Sequence, residues 1–173
     1  MPSAAVIELK DPDRAENETA IPWMSGRKLT WDDFLCEPER NSDAVASTNT
    51  SLGISYRVQE GEWVYEISCN FNKPKSWGLL KTDYILAHEQ AHFDLTEIFA
   101  RKLYEQLQAY MFNPRTYKSD IAAIYQQIVA EKEDMQKSYD RETDHSRNKK
   151  LQIDWLKKID EMLQDSAPFA NYP

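Results

Sequence analysis

The order of hydrophobic patterns along the chain predicts an α+β fold, with strands in the first half and helices in the second. Apolar and polar residues alternate through residues 51–59 and 63–71, on either side of a Glu60-Gly61 turn. This period of two around a short glycine turn is typical of a β-hairpin with one buried face. Beyond Gly78 the apolar residues recur every three or four positions, as they do in amphipathic helices.

Three helices are predicted in the second half. The first begins at Thr82 or Asp83, a pair of residues suited to capping, and continues to about Tyr110. Ser119 is expected to cap the second helix, and the third spans about residues 148–164. We therefore expect a hairpin-containing sheet that packs on the first helix, followed by two more helices.

Length and charge limit the possible organisation and partners. A chain of 173 residues is long enough for one domain with a core of its own. We divide it into a polar N-terminal arm (1–28), a single domain (29–165) and a C-terminal tail (166–173). The net charge of -8 disfavours nucleic acid as a partner. No apolar run approaches the roughly 20 residues of a membrane span, and the first residues lack the basic and apolar segments of a signal peptide.

Two of the three histidines lie in the stretch LAHEQAHFD of the first predicted helix. Because a helix advances about 100° per residue, His88 and His92 share one face and both imidazoles can reach a single cation. Glu89 stands beside them, where its carboxylate can accept a proton from a metal-bound water. The pattern His-Glu-x-x-His therefore predicts a catalytic zinc site, and the alternative is an amphipathic helix in which the two histidines coincide.

A catalytic zinc ion needs a third protein ligand. The remaining histidine, His145, ends the charged cluster YDRETDH, and we predict that it is this ligand. Glu142 is the rival, in which case His145 faces the substrate. Asp140, Glu142 and Asp144 are candidates for the carboxylate that accepts the second N–H of a zinc-bound histidine. The other alternative is a charged helix end, where His145 is a favourable cation near the dipole.

Two acidic residues further along the first helix are not expected to bind the metal. Glu97 lies about 180° round the helix from His88 and is predicted to pair with Arg101, one turn later. Asp94 also points away from the histidines. The two cysteines, Cys36 and Cys69, lack the spacing of a structural zinc site and either form a disulfide or are buried thiols.

The sequence resembles a bacterial family of predicted secreted zinc-dependent proteases that is catalogued as a domain of unknown function. The stretches that carry the resemblance are LTWDDF (29–34), SW (76–77), ILAHEQAHFDLTEIFARKL (85–103) and YDRETDH (139–145), with Gln152 and Trp155 after them. The resemblance implies export to the periplasm or the cell exterior, and it favours a Cys36–Cys69 disulfide.

Together these observations predict a small zincin-like metallopeptidase that acts on a peptide or protein substrate. His88, His92 and His145 are expected to hold Zn²⁺, and Glu89 is expected to act as general base. Tyr139 is a candidate to hydrogen-bond the developing oxyanion, or else an apolar contact of the second helix. The alternatives are a zinc-dependent hydrolase of a non-peptide bond and a non-catalytic binding domain that retains the metal site.

Overall fold

Five strands precede three long helices in the part of the chain that the computed structural model describes, residues 15–173. The α+β class is therefore confirmed. The strands are β1 (Ala20–Pro22), β2 (Ala46–Ser47), β3 (Thr50–Gln59), β4 (Glu62–Asn72) and β5 (Trp77–Gly78). The helices are α1 (Asp83–Ala109), α2 (Tyr117–Thr143) and α3 (Lys149–Asp165).

The predicted β-hairpin is the centre of the main sheet. Strands β3 and β4 pair antiparallel, and the sheet order is β1-β4-β3. Glu60 and Gly61 join them with φ angles of 53° and 82°, and two positive φ values are what a two-residue hairpin turn requires. Leu52 pairs with Cys69 on the buried face, as the alternation predicts.

The N-terminal arm is more structured than its polar composition suggests. Residues 1–14 of the predicted arm lie outside the described residues. Within the rest, Ile21 is fully buried and pairs with Phe71 of β4, so that β1 extends the sheet. Ile21 is thus the residue of the short segment Ala-Ile-Pro that belongs to the core.

Helix α1 lies between the sheet and the other two helices. On the sheet side, Phe93 packs against Phe71 with ring centroids 5.8 Å apart. On the opposite side, Leu95 and Ile98 contact a cluster that includes Trp155 and Ile159 of α3. Each such large apolar side chain stabilises the fold by about 1.5–3 kcal/mol when it is fully buried. Because both faces of α1 are covered, the helix is a rigid platform for the residues that it carries.

The helix boundaries agree with the sequence, apart from the start of α2. Thr82 caps α1 as expected, because its Oγ1 accepts a hydrogen bond from the Ile85 N–H at 3.2 Å. Helix α2 begins at Tyr117, two residues before the predicted cap. The Ser119 hydroxyl instead donates to the carbonyl oxygen of Thr116 at 2.9 Å.

The C-terminal tail packs on the domain. The Tyr172 hydroxyl donates to Glu97 Oε2 at 2.6 Å, and the Ile67 N–H of β4 donates to the Pro173 carbonyl oxygen at 2.8 Å. Glu97 also accepts from Arg101 Nε at 2.9 Å, which confirms the predicted pair. Across residues 15–173, none of the helices has both the length and the apolar character that a membrane crossing demands.

The disulfide that the family resemblance favours is not formed. Cys36 and Cys69 are both free thiols. Cys69 is buried on the inner face of β4. Cys36 is half-buried in the loop before β2, and its Sγ lies 3.5 Å from the carbonyl oxygen of Glu37. Because both thiols are free, the expectation of a disulfide is wrong.

Candidate metal centre

His88 and His92 of α1 both face one carboxylate oxygen of α2. Asp140 Oδ1 lies 3.0 Å from His88 Nε2 and 2.9 Å from His92 Nε2. The two histidines are one turn apart, so their imidazoles project from the same face of α1. Asp140 lies in the last turn of α2, on the side that packs against α1. Two nitrogen atoms and one oxygen atom therefore converge on a single point.

The other nitrogen of each imidazole is held by an amide. His88 Nδ1 lies 2.7 Å from Gln152 Oε1 of α3, and His92 Nδ1 lies 2.5 Å from Gln136 Oε1 of α2. Both rings are thus fixed from behind, and their Nε2 atoms are directed at Asp140. Three helices contribute to this arrangement, which is why it depends on their packing.

Asp140 and His92 each shift the pKa of the other towards its charged form. Burial by itself lowers the pKa of the His92 imidazole, but the hydrogen bond and the charge of Asp140 outweigh burial and raise that pKa to about 9. Burial raises the pKa of the Asp140 carboxyl, but the hydrogen bonds from His88 and His92 outweigh it and hold that pKa well below its ordinary value. Asp140 is therefore a carboxylate at neutral pH.

The donor atoms of His88, His92 and Asp140 fit a metal ion. These atoms lie within 4.8 Å of one another, so that a single cation could contact all three. Two imidazole nitrogens with one carboxylate oxygen form a donor set typical of catalytic zinc, which keeps a further position open. The chemistry of the residues present therefore suits Zn²⁺.

A cavity of about 200 Å³ adjoins the donor group. It is lined by the segment of residues 44–48 and by the two histidines, Asp140 and Glu89. Glu89 is buried, and its Oε2 accepts a hydrogen bond of 2.6 Å from the Thr48 hydroxyl. Glu89 therefore lies beside the donor group without belonging to it, as the sequence predicts for a proton acceptor.

His145 also lines this cavity. Its Nδ1 is 3.8 Å from Asp140 Oδ1, and 39% of its side chain is exposed. It follows the end of α2 in a turn where Asp144, His145 and Ser146 have φ angles of 50°, 49° and 78°. Each left-handed residue other than glycine costs about 1–3 kcal/mol, and such strain is typical of functional sites. The Tyr84 hydroxyl stabilises this turn by donating to the Ser146 carbonyl oxygen.

The structure thus brings Asp140, rather than His145, within hydrogen-bonding distance of both histidines. Asp140 lies within α2, which fixes its direction towards α1, whereas His145 lies beyond the end of the helix. Glu142, the rival third ligand, is turned towards α3, where its Oε2 accepts from Trp155 Nε1 at 2.7 Å. Ligation by His145 stays a prediction.

Tyr139 lies behind the site and does not line the cavity. It is fully buried, and its ring stacks on the His88 imidazole with centroids 4.5 Å apart. Its hydroxyl lies 3.3 Å from the His88 carbonyl oxygen, 3.2 Å from Gln152 Oε1 and 2.9 Å from Gln152 Nε2. Tyr139 is thus a buried contact behind His88, and the oxyanion role stays a prediction.

The motif LTWDDF positions helix α1. The Leu29 N–H donates at 2.8 Å to Oε1 of Gln90, the residue that follows Glu89 in α1. Trp31 Nε1 donates to the carbonyl oxygen of Thr82, the N-cap of α1, at 3.3 Å. The Trp31 ring lies so close to Gly78 that a Cβ there would be 2.5 Å from it. The motif therefore acts on the site through the position of its helix.

Two residues of the site, Gln136 and Thr48, were not predicted from the sequence. Gln136 precedes Asp140 by four residues on α2, and this helical spacing is the signal that could have paired them. Thr48 gives no such signal, because it lies in a loop between two strands and reaches Glu89 only through the tertiary fold.

The fold and the site define an α+β protein with a histidine–histidine–carboxylate group that can hold a metal ion. Residues 7–146 match the model of a family described as bacterial protein of unknown function (DUF922), and the chain belongs to this family. Comparison with curated proteins gives no match. Comparison with solved structures gives none either. The protease activity that the resemblance implies stays a prediction.

Proposed function

We propose that this protein is a zinc-dependent metallopeptidase. The observation that carries the proposal is the convergence of two histidine nitrogens and the Asp140 carboxylate beside the buried carboxylate of Glu89, in one cavity. A site that served only to stabilise the fold would need no proton acceptor next to its ligands.

His88, His92 and Asp140 would hold the zinc ion, and His145 lies near enough to Asp140 to act at the same cavity. When bound, zinc supplies a Lewis acid that activates water and polarises a carbonyl group. The cavity lined by residues 44–48 and by side chains of α1 adjoins this position.

Glu89 would accept the proton of the attacking water and deliver it to the departing amine. The Thr48 hydroxyl donates to Glu89 Oε2, which fixes the rotamer of the carboxylate inside the cavity. A carboxylate held in this way needs little reorganisation before proton transfer.

The segment of residues 44–48 supports an extended peptide as the substrate. Among the described residues β2 pairs only with β5, and just beyond this pair the Val45 carbonyl oxygen accepts from the Leu79 N–H at 2.9 Å. Because backbone groups alternate in an antiparallel pair, the N–H and C=O of Ala46 point away from β5. Residues 44–48 line the cavity, so an extended chain could add to this edge with its scissile bond beside the donor group.

The proposed location in the periplasm or outside the cell rests on the family resemblance. The free thiols of Cys36 and Cys69 add no support to it, since a protein without disulfides is compatible with either redox environment.

The test combines metal analysis with a broad peptide-cleavage profile of the purified protein. We expect about one equivalent of zinc per chain and cleavage that a chelator abolishes. The variant Glu89→Gln should keep the zinc and lose hydrolysis, because an amide has the shape of the carboxylate and cannot accept the proton. Wild-type protein that binds no zinc from zinc-containing buffer, or a Glu89→Gln variant with normal turnover, would overturn the proposal.

A further inference from the structure

We propose that Gln136 and Gln152 are positioning residues, which fix His92 and His88 in the tautomer that presents Nε2 to the metal. The inference rests on the proposed zinc site and concerns the groups behind its ligands. It assigns a role to two neutral amides at a place where zinc-bound histidines often have a carboxylate.

The orientation of the Gln136 amide follows from its own contacts. Gln136 Nε2 donates to the His92 carbonyl oxygen at 2.9 Å and to Thr96 Oγ1 at 3.2 Å. The other end of the amide must then be the oxygen, and it faces His92 Nδ1 at 2.5 Å. An amide oxygen only accepts hydrogen bonds, so His92 Nδ1 carries the hydrogen and donates it. The Nε2 atom is left to face Asp140 and the metal position.

Gln152 is held through Tyr139. Its Nε2 donates to the Tyr139 hydroxyl oxygen at 2.9 Å, and the hydrogen of that hydroxyl lies within reach of two acceptors, Gln152 Oε1 at 3.2 Å and the His88 carbonyl oxygen at 3.3 Å. In this orientation Gln152 Oε1 faces His88 Nδ1, 2.7 Å away. Gln152 is fully buried, so water does not compete for this contact.

The two amides have the same chemical effect on the site. Each fixes an Nδ1–H tautomer and the ring plane, and neither adds charge. Asp140 then supplies the only negative charge among the metal ligands. A carboxylate behind an imidazole raises its basicity as a ligand. Neutral amides therefore leave more positive charge on a bound zinc ion, which favours its action as a Lewis acid.

The test measures zinc affinity by competition with a chelator of known affinity. Gln136→Met and Gln152→Met have similar length but no acceptor, and each should weaken zinc binding by about 10–100-fold. Gln136→Glu keeps an acceptor for His92 Nδ1 but loses the donor to the His92 carbonyl oxygen, so it should bind zinc more tightly than Gln136→Met, which packing alone does not predict. Gln127→Met is the matched control, because Gln127 is exposed on the same helix and bonds to Glu131.

A second readout follows the rings directly. With three histidines in the chain, ¹⁵N-histidine labelling of the zinc-loaded protein gives three ring spectra, which resolve the tautomer of each. Gln136→Met should abolish the protected Nδ1–H signal of His92 and spare that of His88, and Gln152→Met should do the reverse. If the Gln152 variant fails to fold, the half-buried Gln136 decides by itself.

The outcomes separate the inference from the proposed function. Zinc binding by both methionine variants within about threefold of wild type, with unchanged Nδ1–H signals, would overturn the inference and leave the peptidase proposal standing. A wild-type protein that binds no zinc would overturn both. A Gln136→Glu variant that binds zinc no more tightly than Gln136→Met would contradict the acceptor role.

Discussion

Asp140 Oδ1 lies 2.9 Å from His92 Nε2 across the interface of α1 and α2, so a carboxylate faces the imidazole where the sequence had suggested another histidine. This contact also explains why the pKa of His92 is raised to about 9 despite burial. The negative charge of Asp140 attracts a proton on the His92 imidazole, and it would attract a metal cation at this point for the same reason.

The first prediction compares Asp140 with His145. Asp140→Ala should weaken zinc affinity far more than the roughly 10–100-fold expected of a residue that only supports a ligand, and His145→Ala should remain within that range. Chelator competition measures both, and Asp144→Ala in the same exposed turn is the control. If His145→Ala empties the site while Asp140→Ala retains zinc, the two assignments must be exchanged.

The second prediction concerns Thr48. Thr48→Val removes the hydroxyl that donates to Glu89 but keeps the shape of the side chain. A hydrogen bond to a charged group contributes about 1.5–3 kcal/mol, so kcat/KM should fall by at least about 10-fold at unchanged zinc content. Thr116→Val is the control, because the Thr116 hydroxyl also donates to a carboxylate, Asp120 Oδ2 at 2.7 Å, but lies outside the cavity. Equal losses in the two variants would argue against a specific role for the hydroxyl.

The third prediction is that the protein contains two thiols of very different reactivity. Cys36 is half-buried, whereas Cys69 is buried and burial raises the pKa of its thiol well above the ordinary value. An alkylating reagent should therefore label one thiol in the native protein and two after denaturation without reductant. The variant Cys36→Ser should show no label in the native state. If the denatured protein has no reactive thiol until a reductant is added, Cys36 and Cys69 form a disulfide after all.

The fourth prediction concerns pH and Asp33. Burial opposes ionisation of Asp33, but hydrogen bonds from Arg27 and from the Thr30 N–H outweigh it and lower the pKa of its carboxyl. Because the pKa of Asp33 is lower in the folded state than in the unfolded state, ionised Asp33 stabilises the fold at pH values above the unfolded pKa of about 3.9. This stability is lost as the pH falls from there through the folded pKa.

Asp33→Asn should therefore lower the free energy of unfolding by about 2 kcal/mol at pH 7, and its difference from wild type should narrow below pH 4. Urea unfolding at several pH values measures this, with the neighbouring exposed Asp32→Asn as the control. A difference that stays constant down to pH 3 would show that the charge of Asp33 is not responsible.

The sequence determined the local structure of this protein. The period of two with a Glu60-Gly61 turn produced the hairpin, and the helical period with its caps produced three helices at nearly the predicted bounds. His88, Glu89 and His92 were placed correctly relative to one another because they lie within one turn of a helix, whose geometry is the same in every protein.

The tertiary structure decided everything that depends on two elements meeting. Asp140 and Gln136 reach the histidines because α2 packs along α1, and Thr48 reaches Glu89 because β2 lies over the same helix. Cys36 and Cys69 are free thiols because the fold places one in a loop and the other on the inner face of β4 without joining them. Such contacts are set by the packing of side chains distant in sequence, and no local period along the chain records them.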